Sequence, residues 1–177
     1  MVRSTHKRIA EFLAIDVETA CADRGSICQL GVAYFSGGSC RWTEARLICP
    51  ETAFSPHNIA IHGIRPKDVL LRPTWAKVYP ELQEWARVGV MASHTFFDRA
   101  AVEIACRRYG APMLPYTRWI DTFAIAKEVW PELANHKLTT LASHFGIAHK
   151  AHDAAEDART AGEILSLALQ VDGSRIP

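Results

Sequence analysis

Apolar residues along the chain form short runs that predict five β-strands. The predicted strands are residues 9–18, 26–35, 40–49, 88–92 and 119–121. The first run, from Phe12 to Ile15, is continuously apolar, which is typical of a strand that is buried on both faces. The segment Ser36-Gly37-Gly38-Ser39 separates the second and third runs, so these two strands are expected to form an antiparallel hairpin.

Helical spacing of apolar residues predicts the helices of the remaining chain. They are expected at residues 74–86, 98–109, 122–130, 138–145 and 153–170. Gly110, Pro131 and Gly146 lie where three of these helices should stop. Residues 51–72 are polar and contain Pro56 and Pro66, so this segment is predicted to be irregular with short turns.

The order of these elements predicts an α/β fold. Its expected architecture is a mixed five-stranded sheet with an antiparallel edge hairpin, flanked by helices. A length of 177 residues suits one domain with its own core. We therefore expect residues 1–177 to form a single domain.

Composition narrows the possible functions. The formal net charge is +1, so any binding to a polyanion must depend on a local positive surface or on bound cations. Five cysteines without a C-x-x-C pair predict reduced thiols rather than a zinc site. The first ten residues lack an apolar signal core, and no apolar run is long enough to span a membrane. We expect a cytoplasmic location and no membrane partner.

Two carboxylates stand at the end of the first predicted strand. Asp16 and Glu18 are two residues apart, so their side chains should point to the same face of the sheet. Such a pair repels itself unless one group is protonated or a cation bridges both. The alternative is that the strand ends in solvent and that both acids are hydrated.

Two further acids lie at the starts of predicted helices. Asp98 follows the fourth strand, where ligand sites of open α/β sheets tend to lie, although it could instead cap its helix. Asp157 shares the apolar stripe of the last helix with Ala161 and Ile164, so a charge there needs a bound metal or another cation as partner. Arg159 is close in sequence but projects to a different face.

Together, these four acids could form one site at the ends of the strands. Carboxylate oxygens suit Mg²⁺ and Mn²⁺, and two such ions can clamp the attacking and leaving oxygens of a phosphodiester. His152 lies five residues before Asp157 and could accept a proton from an attacking water molecule. The sequence therefore favours a nuclease site with two divalent cations.

Three segments resemble the motifs of the DEDDh 3′–5′ exonucleases. They are Asp16-Val17-Glu18-Thr19, then His94-x-x-Phe97-Asp98, and then His152-x4-Asp157-Ala158. That group includes the proofreading subunit of bacterial DNA polymerase III, RNase T and oligoribonuclease. The resemblance spans residues 9–170 and includes segments 26–31 and 58–64, which are similar to segments of proofreading-type members.

The resemblance implies an RNase H-like fold and a role for each position. The enzyme would use two Mg²⁺ or Mn²⁺ ions to release nucleoside 5′-monophosphates from 3′ ends. The catalytic metal would be held by Asp16, Glu18 and Asp157. The second metal would be contacted by Asp16 and supported by Asp98. His152 would be the general base. The groove for the terminal nucleotides would be lined by Thr19, His62, Ile64 and Phe97.

The chain departs from the family pattern at two places. Thr95 follows His94 where many members have Asn, and Ala20-Cys21 replaces the common Thr-Gly. Neither departure affects a presumed metal ligand, so we expect an active enzyme.

Other polar and aromatic residues are expected to be structural. We predict that Asp121 caps a helix and that His94 makes a structural hydrogen bond. Three histidines in polar surroundings, His136, His144 and His149, are predicted to be solvated. The five tryptophans are expected in the core or in groove walls.

The sequence is compatible with three functions. The resemblance favours DNA as substrate, in proofreading or repair, and a partner nucleic acid with a free 3′ end that is single-stranded or frayed. The alternatives are an exoribonuclease similar to RNase T or oligoribonuclease, and a non-catalytic nucleic-acid-binding module of the same fold. A polymerase or homodimer partner cannot be read from the sequence.

Overall fold

A five-stranded mixed sheet forms the centre of the computed structural model, which describes residues 9–172. The strands are β1 (Glu11–Thr19), β2 (Ile27–Ser36), β3 (Ser39–Leu47), β4 (Val90–Ser93) and β5 (Arg118–Asp121). Their order is β3-β2-β1-β4-β5. Strand β2 pairs antiparallel with both β3 and β1, whereas β4 pairs parallel with both β1 and β5. The predicted α/β fold with an antiparallel edge hairpin is confirmed. The two ends of the predicted domain, residues 1–8 and 173–177, lie outside the described residues. They include most of the basic amino terminus.

Helices cover both faces of this sheet. They are α1 (Pro56–His62), α2 (Pro66–Val69), α3 (Trp75–Trp85), α4 (Phe97–Arg108), α5 (Thr122–Val129), α6 (Leu138–Phe145) and α7 (Ala154–Asp172), with a 3₁₀ turn at Ala86–Val88. Over residues 9–172, no helix combines the length and the apolar character that a bilayer span requires.

Alternation along β1 divides the interior into two cores. Leu13, Ile15 and Val17 belong to a buried cluster with α3 and α4, whereas Phe12 and Ala14 belong to a second cluster with α5, α6 and α7. Because side chains alternate along a strand, Asp16 and Glu18 continue the face of Phe12 and Ala14. The two acids therefore point toward the side of the sheet on which α7 packs.

The prediction that residues 51–72 are irregular is wrong, because this segment contains α1 and α2. The side chain of Ser55 accepts a hydrogen bond from the Asn58 backbone, and Pro56 occupies the first turn, where it needs no hydrogen-bond partner. Gly63 ends α1 in the left-handed conformation, with φ of 76°. No residue of α1 is buried, so the helix has no apolar stripe that sequence analysis could detect.

Two glycines let α7 pack directly on β2. A Cβ atom at Gly31 would lie 2.0 Å from the carbonyl carbon and oxygen of Ala154, and one at Gly162 would lie 2.1 Å from the Phe35 ring. Gly31 is also the cross-strand partner of Asp16. The close contact at Gly31 therefore places the beginning of α7 over the part of the sheet that carries the first acid.

Candidate active site

Four carboxylates converge at the end of the sheet where the parallel strands finish. Asp16 and Glu18 come from β1, Asp98 from the first turn of α4 and Asp157 from the first turn of α7. Asp98 and Asp157 are buried, with 5% and 8% of their surface exposed, and the two β1 acids are half-buried. The structure thus brings together all four acids that the sequence singled out.

Asp98 connects α4 to β1 at the centre of this cluster. Its Oδ1 atom accepts a hydrogen bond of 3.0 Å from the backbone N–H of Val17, which lies between Asp16 and Glu18. The N-cap position of α4 is Phe96, which makes no side-chain capping hydrogen bond. The side chain of Asp98 therefore reaches across to the strand that carries the other acids.

Burial and mutual repulsion raise the pKa values of three of these acids. The pKa of Asp16 is well above its ordinary value, first because of burial and then because of Asp98, Asp157 and Glu18. Burial, reinforced by Asp157 and Asp98, raises the pKa of Glu18 to about 7. Burial also raises the pKa of Asp98 to about 7, although the Val17 hydrogen bond opposes the shift. Without a cation, the cluster therefore retains protons near neutral pH, whereas a cation would favour the ionised forms.

Asp157 is held by the loop that precedes α7. Its Oδ1 contacts His149 Nε2, and its Oδ2 accepts a 3.0 Å hydrogen bond from the His152 backbone. His152 is exposed and adopts the left-handed conformation, with φ of 63°, which is uncommon for a residue other than glycine. Among the described residues, Glu18, His152 and Asp157 each offer a ligand atom within 4.8 Å of the other two. The imidazole of His152 thus borders the carboxylates.

His136 is buried and the side chain of His149 is largely shielded from solvent, so the prediction that these two histidines are solvated is wrong. Only 7% of the His149 side chain is exposed, because it packs against Asp157. His136 is 9% exposed, and its Nε2 atom lies 2.9 Å from the Trp130 carbonyl oxygen. The polar sequence around both residues gave no sign of these contacts, which depend on the folded loops. His144 is exposed, as predicted.

The predicted groove residues Thr19, His62 and Ile64 lie where α1 meets the end of β1. Asn58, which the sequence pattern did not single out, donates to the Thr19 carbonyl at 2.9 Å. The Ile64 backbone donates to His62 Nδ1 at 3.0 Å, so His62 Nε2 must carry the hydrogen that bonds the Thr19 carbonyl at 3.2 Å. Burial lowers the pKa of His62, in keeping with this neutral form. A contact between these residues and a nucleotide stays a prediction.

Phe97, the fourth predicted groove residue, is 38% exposed at the start of α4. Its backbone N–H donates to Thr95 Oγ1 at 3.2 Å. The threonine that replaces the common asparagine thus supplies a local hydrogen bond beside Asp98.

Asp121 and His94 have structural roles, as the sequence analysis predicted. Asp121 Oδ1 accepts a 3.0 Å hydrogen bond from the Ala124 backbone and so caps α5. His94 Nε2 lies 2.9 Å from the His136 carbonyl and Nδ1 lies 3.0 Å from Thr122 Oγ1. Because a carbonyl can only accept, Nε2 of His94 carries a hydrogen, and burial lowers the pKa of His94, which favours the neutral imidazole.

Replacing Asp98 by Asn should stabilise the metal-free protein at alkaline pH. The folded-state pKa of Asp98 is about 7, above the value near 4 of an unfolded chain. The presence of this acid therefore lowers the free energy of unfolding. The loss is complete above about pH 7, shrinks as the pH falls from 7 to 4, and is absent below pH 4. Asn keeps the acceptor for Val17, so we expect a gain in unfolding free energy of up to about 4 kcal/mol at pH 8. Urea unfolding in EDTA at pH 4, 6 and 8 measures it.

Asp23→Asn is a suitable control, because the hydrogen bond from Arg108 lowers the pKa of Asp23. This variant should show no gain at pH 8. An equal gain from Asp98→Asn at pH 4 and pH 8 would point to altered packing rather than relief of charge repulsion.

A mixed sheet of this topology, with four carboxylates converging from β1, α4 and α7, defines the nuclease class with an RNase H-like fold. The exonuclease family model RNase_T matches residues 13–165, and the chain belongs to this family.

Two curated relatives show how the chain compares with longer proteins. It is 27% identical over 171 residues to DNA polymerase III subunit epsilon of Treponema pallidum, a match that covers 93% of this chain and 79% of the relative. It is 26% identical over 165 residues to the PolC-type DNA polymerase III of Streptococcus suis, where it covers 91% of this chain and only 11% of the relative.

Solved structures share the fold at lower sequence identity. The nuclease domain of 3′hExo, a DEDDh family member bound to rAMP, superposes with a TM-score of 0.78 at 18% identity, covering 95% of this chain and 96% of that one. Exonuclease X in complex with 5′ overhanging duplex DNA gives a TM-score of 0.74 at 21% identity, covering 92% and 93%.

Proposed function

We propose that the protein is a 3′–5′ exonuclease that hydrolyses the terminal phosphodiester bond of a nucleic acid and releases nucleoside 5′-monophosphates. The observation that carries this proposal is the convergence of Asp16, Glu18, Asp98 and Asp157. Burial, reinforced by repulsion among these acids, raises the pKa of Asp16 and brings the pKa values of Glu18 and Asp98 to about 7. A site in which four carboxylates lie this close together is suited to divalent metal ions rather than to a single lysine or arginine side chain. Family membership supports the same reaction.

The donor set fits two ions of Mg²⁺ or Mn²⁺, which prefer carboxylate oxygens. Asp16, Glu18 and Asp157 would hold one ion, and Asp16 with Asp98 would hold the other. When bound, such a pair of cations activates water and offsets the charge of the attacking and leaving oxygens. The role of the chain is to fix the carboxylates: the Val17 N–H orients Asp98, and the loop before α7 orients Asp157.

His152 is proposed as the general base. Its side chain is exposed and lies beside Glu18 and Asp157, so it can reach a water molecule at the edge of the acidic cluster. An imidazole exchanges a proton readily near neutral pH, which suits removal of a proton from the attacking water. His94 and His62 are less suited to this role, because both ring nitrogens of each are engaged in hydrogen bonds.

DNA is the favoured substrate, presented as a single-stranded or frayed 3′ end. The similarity to a DNA polymerase III epsilon subunit supports a proofreading or repair role, and with it a polymerase as a candidate partner. RNA is the second candidate, since a structural neighbour binds rAMP. We also propose that the chain acts as a single exonuclease domain, in line with the family match over residues 13–165.

A ladder assay on oligonucleotides with a 5′ label tests the proposed activity. Single- and double-stranded DNA and RNA are incubated with Mg²⁺, with Mn²⁺ or with EDTA. We expect products that shorten one nucleotide at a time from the 3′ end with either metal and no cleavage in EDTA. Faster cleavage of RNA would favour the exoribonuclease alternative. Tight binding in EDTA without cleavage under any condition would contradict the proposal and favour a non-catalytic binding module.

A further inference from the structure

The loop between β1 and β2 places a guanidinium group on an exposed aromatic ring at the rim of the acidic cluster. The carbon at the centre of the Arg24 guanidinium lies 5.3 Å from the centroid of the Phe97 ring. Phe97 immediately precedes Asp98, and its ring is partly exposed. The pair therefore joins a cation and a stacking surface next to a proposed metal ligand.

Local hydrogen bonds hold this loop in place. Asp23 Oδ1 accepts from the Gly25 backbone at 2.9 Å, and the hydroxyl of Ser26 accepts from the Cys21 backbone at 3.2 Å. Asp23 Oδ2 also pairs with Arg108 of α4, which ties the loop to the helix that carries Phe97. A Cβ atom at Gly25 would lie 2.7 Å from the Ile104 side chain, so the loop packs closely on α4.

The charge of Arg24 is not compensated within the described part of the chain. Over residues 9–172, the Arg24 side chain forms no salt bridge or hydrogen bond, and its guanidinium contacts the Phe97 ring. A second pair on the same helix differs in this respect: Arg99 lies 5.9 Å from the Phe96 ring, but its guanidinium also bonds to Glu103 at 2.8 Å. Arg24 thus keeps its N–H donors free for an outside anion, whereas Arg99 is already paired.

We propose that Arg24 forms a subsite that binds the phosphate of the nucleotide that precedes the one removed, beside the Phe97 ring that is already expected to line the groove. Guanidinium groups suit phosphate oxygens, and exposed aromatic rings stack on bases of any sequence. The inference rests on the proposed exonuclease function and extends it. It also gives a protein with net charge +1 a local positive contact for a polyanion.

Substrates of different length separate this subsite from the catalytic centre. The p-nitrophenyl ester of thymidine 5′-monophosphate contains only the nucleotide that is removed, whereas a ten-nucleotide DNA also fills the preceding position. We expect Arg24→Ala to raise KM for the oligonucleotide about tenfold, with kcat unchanged. Hydrolysis of the p-nitrophenyl ester should stay at the wild-type rate.

Binding in Ca²⁺ and varied salt tests the phosphate contact without turnover. Loss of one phosphate contact should reduce the slope of log Kd against log salt by about 0.7 for a single strand. Arg24→Lys keeps the charge but loses the planar stacking group, so its slope should match the wild type although its affinity is lower. Arg87→Ala is the matched control, because Arg87 is exposed, pairs with Glu84 and lies before β4, at the other end of the sheet from Asp98.

The outcomes distinguish failure of the subsite from failure of the proposed function. Wild-type protein that cleaves neither substrate would overturn the exonuclease proposal, while the Ca²⁺ binding assay would still decide the role of Arg24. Active protein in which Arg24→Ala leaves oligonucleotide KM and the salt slope unchanged would overturn the subsite. Equal losses on the oligonucleotide and on the p-nitrophenyl ester would also overturn it, since Arg24 would then act on the catalytic centre or the fold.

Discussion

Asp157→Asn is expected to lower kcat on a DNA oligonucleotide by about a thousandfold, which corresponds to about 4 kcal/mol of transition-state stabilisation. Asp157 is 8% exposed and faces Glu18 and His152, so its carboxylate belongs to the proposed metal site. Asn has nearly the same shape but only one oxygen and no charge. The substitution therefore removes a metal ligand and leaves the surrounding packing in place.

Stability measurements should separate loss of the ligand from loss of the fold. Asp157 contributes to the repulsion that raises the pKa values of Asp16, Glu18 and Asp98, so its neutralisation should leave metal-free stability equal or higher. The rise in melting temperature that Mn²⁺ gives the wild type should largely disappear in the variant. Kinetic assays and thermal unfolding with and without Mn²⁺ measure both effects.

Asp121→Asn is the matched control for this prediction. Asp121 lies at the same end of the sheet but caps α5, and Asn caps helices as well as Asp does. This variant should keep its activity within a few-fold of the wild type. Wild-type turnover by Asp157→Asn would contradict the assignment of the active site.

Three acids of the cluster could be picked out from the sequence because their positions have a simple geometric meaning, whereas Asp98 alone also suited a helix cap. Asp16 and Glu18 share one face of a strand, and Asp157 occupies the buried stripe of a helix, where a charge needs a partner. The hydrogen bond from Val17 to Asp98 was not predictable. It joins residues 81 positions apart and depends on how α4 packs against β1.

Other parts of the site depend on contacts that leave little trace in sequence patterns. The position of α7 depends on Gly31, whose missing side chain lets the Ala154 backbone approach the sheet. His149 reaches Asp157 from an irregular loop, so no periodicity marks its side chain as shielded from solvent. Helix α1 buries none of its residues and is fixed instead by its caps and by the bonds from Asn58 to Thr19. Polar contacts of this kind become visible only once the backbone path is known.

His152→Ala should lower kcat by about a hundredfold or more while metal binding is retained. If His152 acts as the base, the wild-type rate at saturating Mg²⁺ should fall as the pH drops through the range in which imidazole takes up a proton. The variant should lose this dependence, because the other histidines around the site, His62, His94 and His149, are engaged in hydrogen bonds. The pH–rate profile between pH 5.5 and 9 measures the change.

Metal binding by the same variant tests the alternative that His152 is a ligand. Its imidazole lies close enough to Glu18 and Asp157 to share an ion with them. If His152 is the base, Mn²⁺ should still raise the melting temperature of His152→Ala, because the four carboxylates are intact. If it is a ligand, that stabilisation should fall as it does in Asp157→Asn. His144→Ala, an exposed position on α6, should match the wild type in both assays. An unchanged pH profile in His152→Ala would rule out the base role, since another group would then accept the proton from water.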